Sequence, residues 1–268
     1  MITFSAITPH PPIIIPGIGK STDLKLVKNT IKSMEKLADE IAENDPETII
    51  IVSPHALVHQ DKFAVYGNPE FHGSFAQFGA PQINFQFKND LELADKIVKK
   101  AKENGINAFL FGDSCNRSFE LDHGEMVPFY YLTKNLPSNI NILPIAYSFQ
   151  SRADHFAFGQ IINKIAESQE FKDKNIALIA SGDMSHRLFE NSIGKKFDQN
   201  IIEYIKEKNT QEILEMDEDF VESAGECGYR SILIALGVLD KLAYKPEILS
   251  YEGPFGVGYL VANFRIIL

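Results

Sequence analysis

The stretch NIALIASGDMSH, residues 175–186, decides the fold. Six residues of mainly apolar, partly branched side chains read as a buried strand, and the run then stops on serine, glycine, aspartate and histidine. The same grammar occurs earlier. ITFSAIT (2–8) runs into PHPP with His10, and ETIIIVS (47–53) runs into PHA with His55. Three apolar runs therefore end in loops that each carry a histidine.

Further short runs rich in β-branched or aromatic residues predict strands at 62–67, 83–87, 108–111, 140–148, 247–251 and 256–268. Helical periodicity lies between them. Over 21–44, Leu24, Val27, Ile31, Met34, Leu37 and Ile41 recur at spacings of three and four, with Ser21 as the expected N-cap. Similar patterns cover 90–104, 153–168, 197–207 and 228–241. Strands alternating with helices predict an α/β fold, with a central mixed, partly parallel sheet flanked by helices. No repeat, low-complexity tract or Gly/Ser linker divides the chain, so a single domain over 1–268 is expected. In such sheets ligands sit beyond the carboxyl ends of the strands. The three histidine loops are thus expected to converge at one rim.

Composition removes several classes of function. With 268 residues, 44% hydrophobic and 23% charged, the chain has an ordinary globular make-up. A net charge of −10 lacks the clustered Lys and Arg of a nucleic-acid footprint. No run approaches the roughly 18–20 apolar residues of a membrane span, and the proline-broken start has no basic n-region, so neither membrane nor signal peptide is expected. Cys115 and Cys227 are too few for a disulfide framework, which favours a reducing cytoplasm.

A single histidine after a strand is more often a hydrogen-bonded loop residue than a ligand, and His59, His72 and His155 are read that way. His10, His55 and His186, with His123 in the polar stretch ELDHGEMVPFYYL, form a set in Pro- or Gly-bounded loops with acidic neighbours. Prolines beside His10 and His55 stiffen those loops, as a ligand set requires. Two imidazoles and a carboxylate with open positions describe a non-haem Fe(II) site. The carboxylate is open on residue grounds. ESAGECGYRSILIALG offers Glu226, which also suits a helix N-terminus, beside Cys227, whose thiolate favours zinc or a redox metal; LSYEGPFGVGY offers Glu252. Asp183 reads as a turn residue, or as a group orienting His186. Phe75, Phe78, Phe119, Phe129 and Phe255 are candidates for a pocket lining, although phenylalanine usually means core.

Taken in order, TPHPP, SPHA, LDHG, SGDMSH and GECG…ALG resemble the catalytic B subunit of class III extradiol ring-cleavage dioxygenases, of the protocatechuate 4,5-dioxygenase type. The resemblance covers nearly the whole chain. It is closer to the Memo-like branch, encoded with or fused to an AMMECR-type domain and often a radical-SAM protein, and the ending SYEGPFGVGYLVA fits that branch. The resemblance implies a small aromatic diol and O2 as substrates, with Fe(II), zinc or another divalent metal as cofactor. It implies His10, His55 and Glu226 as metal ligands, His186 as catalytic acid/base and His123 as a second catalytic histidine that positions substrate. A cysteine occupies the carboxylate region in the Memo-like relatives, which makes Cys227 the rival of Glu226. An AMMECR-type partner is expected as a separate chain, and a homo-oligomer is expected. The alternatives to ring cleavage are a Memo-like metal-binding or redox accessory protein that keeps the pocket, and zinc-assisted hydrolysis.

Overall fold

A computed structural model describes residues 1–55, 57–112, 118–188 and 192–267. Cys115 lies outside them. In chain order the strands are β1 (Ile2–Thr8), β2 (Thr48–Ser53), β3 (Phe63–Tyr66), β4 (Glu70–Phe75), β5 (Ala80–Asn89), β6 (Ala108–Phe111), β7 (Ser118–Glu120), β8 (Asn141–Ala146), β9 (Ile176–Ser181), β10 (Tyr244–Glu252) and β11 (Tyr259–Ile266). The helices are α1 (Ser21–Leu26), α2 (Lys28–Glu43), α3 (Leu91–Glu103), α4 (His123–Leu132), α5 (Arg152–Ala166), α6 (Ile193–Glu207), α7 (Thr210–Leu214), α8 (Glu218–Ala224) and α9 (Tyr229–Leu239). Among the described residues, no helix is long and apolar enough to cross a membrane.

The strands form one mixed sheet ordered β10-β11-β1-β9-β2-β8-β5-β4-β7, with β3 joined to β8 and β6. Its centre is parallel: β1 pairs β9, β9 pairs β2 and β2 pairs β8. Every residue of β1, β2 and β9 is buried, because helices cover both faces. Alternation within β2 then assigns its side chains. Ile49 and Ile51 join the apolar cluster that includes Met34 and Leu37 of α2 and Val127 of α4, while Ile50 and Val52 join the one formed with Ile97 of α3, Phe158 of α5 and Leu233 of α9.

The periodic segment 21–44 is not one helix. It breaks at Val27, where Glu252 intervenes: its carboxylate accepts from Thr30 N at 2.7 Å and from Thr30 Oγ1 at 2.8 Å. Glu252 thereby satisfies a free donor in the first turn of α2. Ser21 opens α1 rather than capping it; Lys20 holds the cap position, and its N–H donates to Asp23. Strands β4 and β7 and helices α7 and α8 are not among the elements predicted, whereas the stretch 120–132, read as a polar loop entering a helix, does lead into α4, which begins at His123.

Candidate metal centre

Register brings the loop histidines together. Thr8 of β1 stands opposite Ser181 of β9, and Val52 of β2 stands opposite Ala180. The chain reaches His10 two residues beyond β1 and His55 two residues beyond β2, on either side of the loop that carries His186. His123 enters from α4 as its first residue. That helix approaches closely because residue 124 is glycine: a Cβ there would fall 2.4 Å from Ser53 Oγ and 3.0 Å from His55 Cδ2.

One ring nitrogen from each of His10, His55 and His123 lies within 4.8 Å of the others, a group that could hold a metal ion. The two Nε2 atoms of His10 and His55 are 3.2 Å apart. The orientations of His10 and His123 follow from their partners. Ser181 Oγ donates to the carbonyl of Gly124 at 2.5 Å, so it accepts from His10 Nδ1 at 3.0 Å and leaves a lone pair on Nε2. Asp122 Oδ1 stands 2.6 Å from His123 Nδ1 and so turns the other nitrogen of that ring free. Such outer contacts orient metal-binding imidazoles and raise their basicity.

Electrostatics favour the neutral form of His10, His55 and His186. Burial, reinforced by the charges of the neighbouring histidines, holds His10 well below the usual imidazole range, and burial also lowers His55 and His186. Burial would raise the Asp122 carboxyl, but its bond with His123 and nearby donors prevail and bring it to about 2. Glu125 is fully buried and pushed up to about 8 by burial and by the charge of Asp122. Its carboxylate accepts from Asp122 N at 3.0 Å, closing the capping box that fixes the start of α4.

Cys227 and His186 complete the rim. The Cys227 sulfur is 3.6 Å from His10 Nε2 and 3.7 Å from His186 Nε2. Burial raises its thiol pKa. Asp183 ties the segments together: its carboxylate accepts from His10 N at 3.0 Å, and its carbonyl accepts from Cys227 N at 3.2 Å and Gly228 N at 2.9 Å. It orients the His10 and Cys227 backbones rather than the His186 ring. Burial pushes the Asp183 carboxyl up to about 7.

The structure does not bring Glu226 to the imidazoles. Its carboxylate accepts from Tyr229 N at 2.5 Å and lines a separate cavity of about 350 Å³ with Arg152 and Arg230. Three residues before the start of α9, it finds the free amides of that helix nearer than any cation site. His123, expected to position substrate, stands instead in the third place of the cluster. Glu252 is held at α2. His59, His72 and His155 pair with Asp61, with Ser118 and with the carbonyls of Ser148 and Ser151, away from the cluster. Of the five phenylalanines, Phe78 packs its ring 6.0 Å from that of His123, whereas Phe75 and Phe129 are core. The roles of Ser181 and Asp122 were missed. A hydroxyl at a strand end and an acid before a histidine were the available signals, and neither identifies its partner.

This parallel-centred sheet with histidines at its carboxyl rim matches one family along nearly its whole length. Residues 5–262 match the catalytic LigB subunit of aromatic ring-opening dioxygenases, and the chain belongs to that family. Three relatives refine the kinship. Protein CA_C1420 of Clostridium acetobutylicum is 40% identical over 96% of this chain, which spans 56% of that protein's length. The MEMO1 family protein SSO0066 of Saccharolobus solfataricus is 30% identical over 83% of this chain and 74% of its own, which supports the Memo-like branch. A 3,4-dihydroxyphenylacetate 2,3-dioxygenase of Escherichia coli is 22% identical over 83% of this chain and 84% of its own. The crystal structure of uncharacterized protein JW3007 from Escherichia coli K12 shares the fold, with a TM-score of 0.68 at 16% identity, covering 97% of this chain and 99% of that one.

Proposed function

We propose that the protein is a non-haem Fe(II)-dependent extradiol dioxygenase that opens a catechol-like ring with O2. His10, His55 and His123 would hold the metal. The observation that carries the reading is their convergence within 4.8 Å, with the His10 tautomer fixed by Ser181 so that Nε2 presents a lone pair. Two facing imidazole nitrogens at 3.2 Å need a proton or a cation between them, and neutral rings with metal–nitrogen bonds near 2 Å suit a cation.

When bound and chelated by the two diol oxygens, the metal would supply a template and an electron conduit between diol and O2. The chain's own residues do the rest. His186, neutral at working pH, accepts a diol proton at Nε2 and returns it to the product. Asp122 keeps His123 oriented. Phe78 gives the apolar wall beside His123 that a planar ring would contact. The residue types needed for acid–base work and for metal holding thus fall on different loops. This lets one change without the other.

A second reading has its own observation. Cys227 Sγ lies 3.6 Å from His10 Nε2, where it could add a thiolate to the imidazole set. That arrangement favours the Memo-like alternative, a metal-binding or redox accessory protein without ring cleavage, working with an AMMECR-type partner in a reducing cytoplasm. Anaerobic purification followed by metal analysis, and O2 uptake with 3,4-dihydroxyphenylacetate as probe, separates them. Iron with a diol-induced charge-transfer band and one O2 consumed per ring opened supports the dioxygenase. Bound zinc or copper with no O2 uptake overturns it in favour of the second reading.

A further inference from the structure

Asp198, on α6, is completely buried, and it lies outside the imidazole cluster. Its Oδ1 accepts from Ser185 N at 2.9 Å and its Oδ2 accepts from Tyr251 Oη at 2.6 Å. No cation is among its hydrogen-bond or ion-pair partners in the described residues. Burying a carboxylate with neutral donors alone is costly, and an apolar side chain would fill the same space. What the carboxylate adds is a fixed grip on one backbone amide, that of the residue before His186.

The rest of the loop is held from two further sides. Met184 N donates to Gly258 O at 2.8 Å and Gly258 N donates to Ser185 O at 2.9 Å. Ser185 Oγ donates to Ala224 O at 2.7 Å, and His186 N donates to Gly225 O at 3.3 Å, on the segment that leads to Cys227. The carboxylate and the strand-end loop fit only because residue 258 is glycine. A Cβ there would stand 2.2 Å from Asp198 Oδ2 and 2.9 Å from Met184 Cβ. This contact gives the GVGY ending of the sequence a physical reason.

We propose that Asp198 is a positioning residue for His186: through Ser185 it fixes the loop of residues 182–188 against Gly258 and against the Ala224–Cys227 segment, and so sets where the His186 ring stands beside Cys227. The inference rests on the proposed role of His186 as acid/base, but the geometry it describes can be tested without turnover. Burial raises the Asp198 carboxyl to about 6, so near neutral pH it is mostly ionised and both of its oxygens accept.

The test compares Asp198→Ala, Asp198→Asn and, as a control for lost packing on the same helix, Ile201→Ala. Each full-length protein is assayed with Fe(II) and 3,4-dihydroxyphenylacetate, and Cys227 alkylation by iodoacetamide is timed in the metal-free protein by peptide mass analysis. Asp198→Ala should lower kcat by roughly 10- to 100-fold, with KM and Fe(II) affinity within about threefold of wild type, as a misplaced group does. It should also speed Cys227 alkylation about tenfold, because the released loop uncovers the thiol. Asp198→Asn should restore both to within about threefold, its oxygen accepting from Ser185 N and its amide donating to Tyr251 Oη. Unchanged alkylation in Asp198→Ala would overturn the proposal, as would equal acceleration in an Ile201→Ala protein of matched thermal stability. An asparagine variant as impaired as the alanine variant would also overturn it. If wild type consumes no O2, the dioxygenase reading falls, and the alkylation comparison alone decides the positioning role.

Discussion

Glu226 and Cys227 are neighbours in the chain with different partners in space. The sulfur of Cys227 stands 3.6 Å from His10 Nε2, while the carboxylate of Glu226 accepts from Tyr229 N, the first residue of α9. One peptide bond therefore separates a group beside the histidine cluster from a side chain that caps a helix.

That division predicts the third ligand. His123→Ala should weaken Zn(II) or Fe(II) binding at least tenfold, whereas Glu226→Gln, which can still accept from Tyr229 N, should change it less than about threefold. Anaerobic calorimetric titration of the two variants checks this. A tenfold loss in Glu226→Gln would return the carboxylate to the metal.

Ser181 should matter to the metal without touching it. Its hydroxyl links His10 Nδ1 to Gly124 O and so dictates the tautomer of His10. Ser181→Ala is expected to lower metal affinity by roughly 10- to 100-fold, the usual consequence of losing an outer partner of a ligating histidine. Wild-type affinity in this variant would mean that the tautomer is fixed by something else.

His186→Ala should retain the metal and lose turnover by about 10²–10⁴-fold, because the ring moves a proton rather than holding the cation. Metal content measured beside kcat distinguishes the two losses. A protein that came out of purification as metal-poor as His55→Ala would make His186 a ligand.

Glu226 also gives a stability prediction with a defined sign. Burial raises its folded pKa to about 7 from an ordinary value of 4.5. The folded state then binds more protons than the unfolded state between those values, so this contribution is fully present below the unfolded pKa and is lost as pH rises through 7. Glu226→Gln removes the ionisation but keeps the cap. It should melt about 2–4 °C higher than wild type at pH 8, the size of a change near 1 kcal/mol, and should melt with wild type at pH 5. Scanning calorimetry of metal-free protein at both pH values is the measurement, and an equal difference at both would reject the assignment.

Much of the architecture was legible because its signals are local. β1, β2, β6 and β9 are short apolar runs with clear stops, and their boundaries fall within one residue of those expected. α3 and α5 show helical periodicity and were likewise expected close to where they lie. β4 was not, since EFHGSF mixes a glycine and an exposed histidine into an outer strand, and β7 is a three-residue strand that exists only by pairing with it. The break between α1 and α2 was also illegible, because the carboxylate that caps the first turn of α2, that of Glu252, lies more than two hundred residues away.

That the apolar strands end in histidine-bearing loops follows from the residues alone, since β-branched runs followed by proline, glycine and polar groups can scarcely do otherwise. The sheet order β1-β9-β2 was decided only in the tertiary structure, and with it which loops became neighbours. The same holds for the choice between adjacent Glu226 and Cys227. Side-chain chemistry makes both candidate ligands, but the direction each takes depends on where α9 begins and which amides it leaves free. Those amides take the carboxylate and leave the sulfur beside His10.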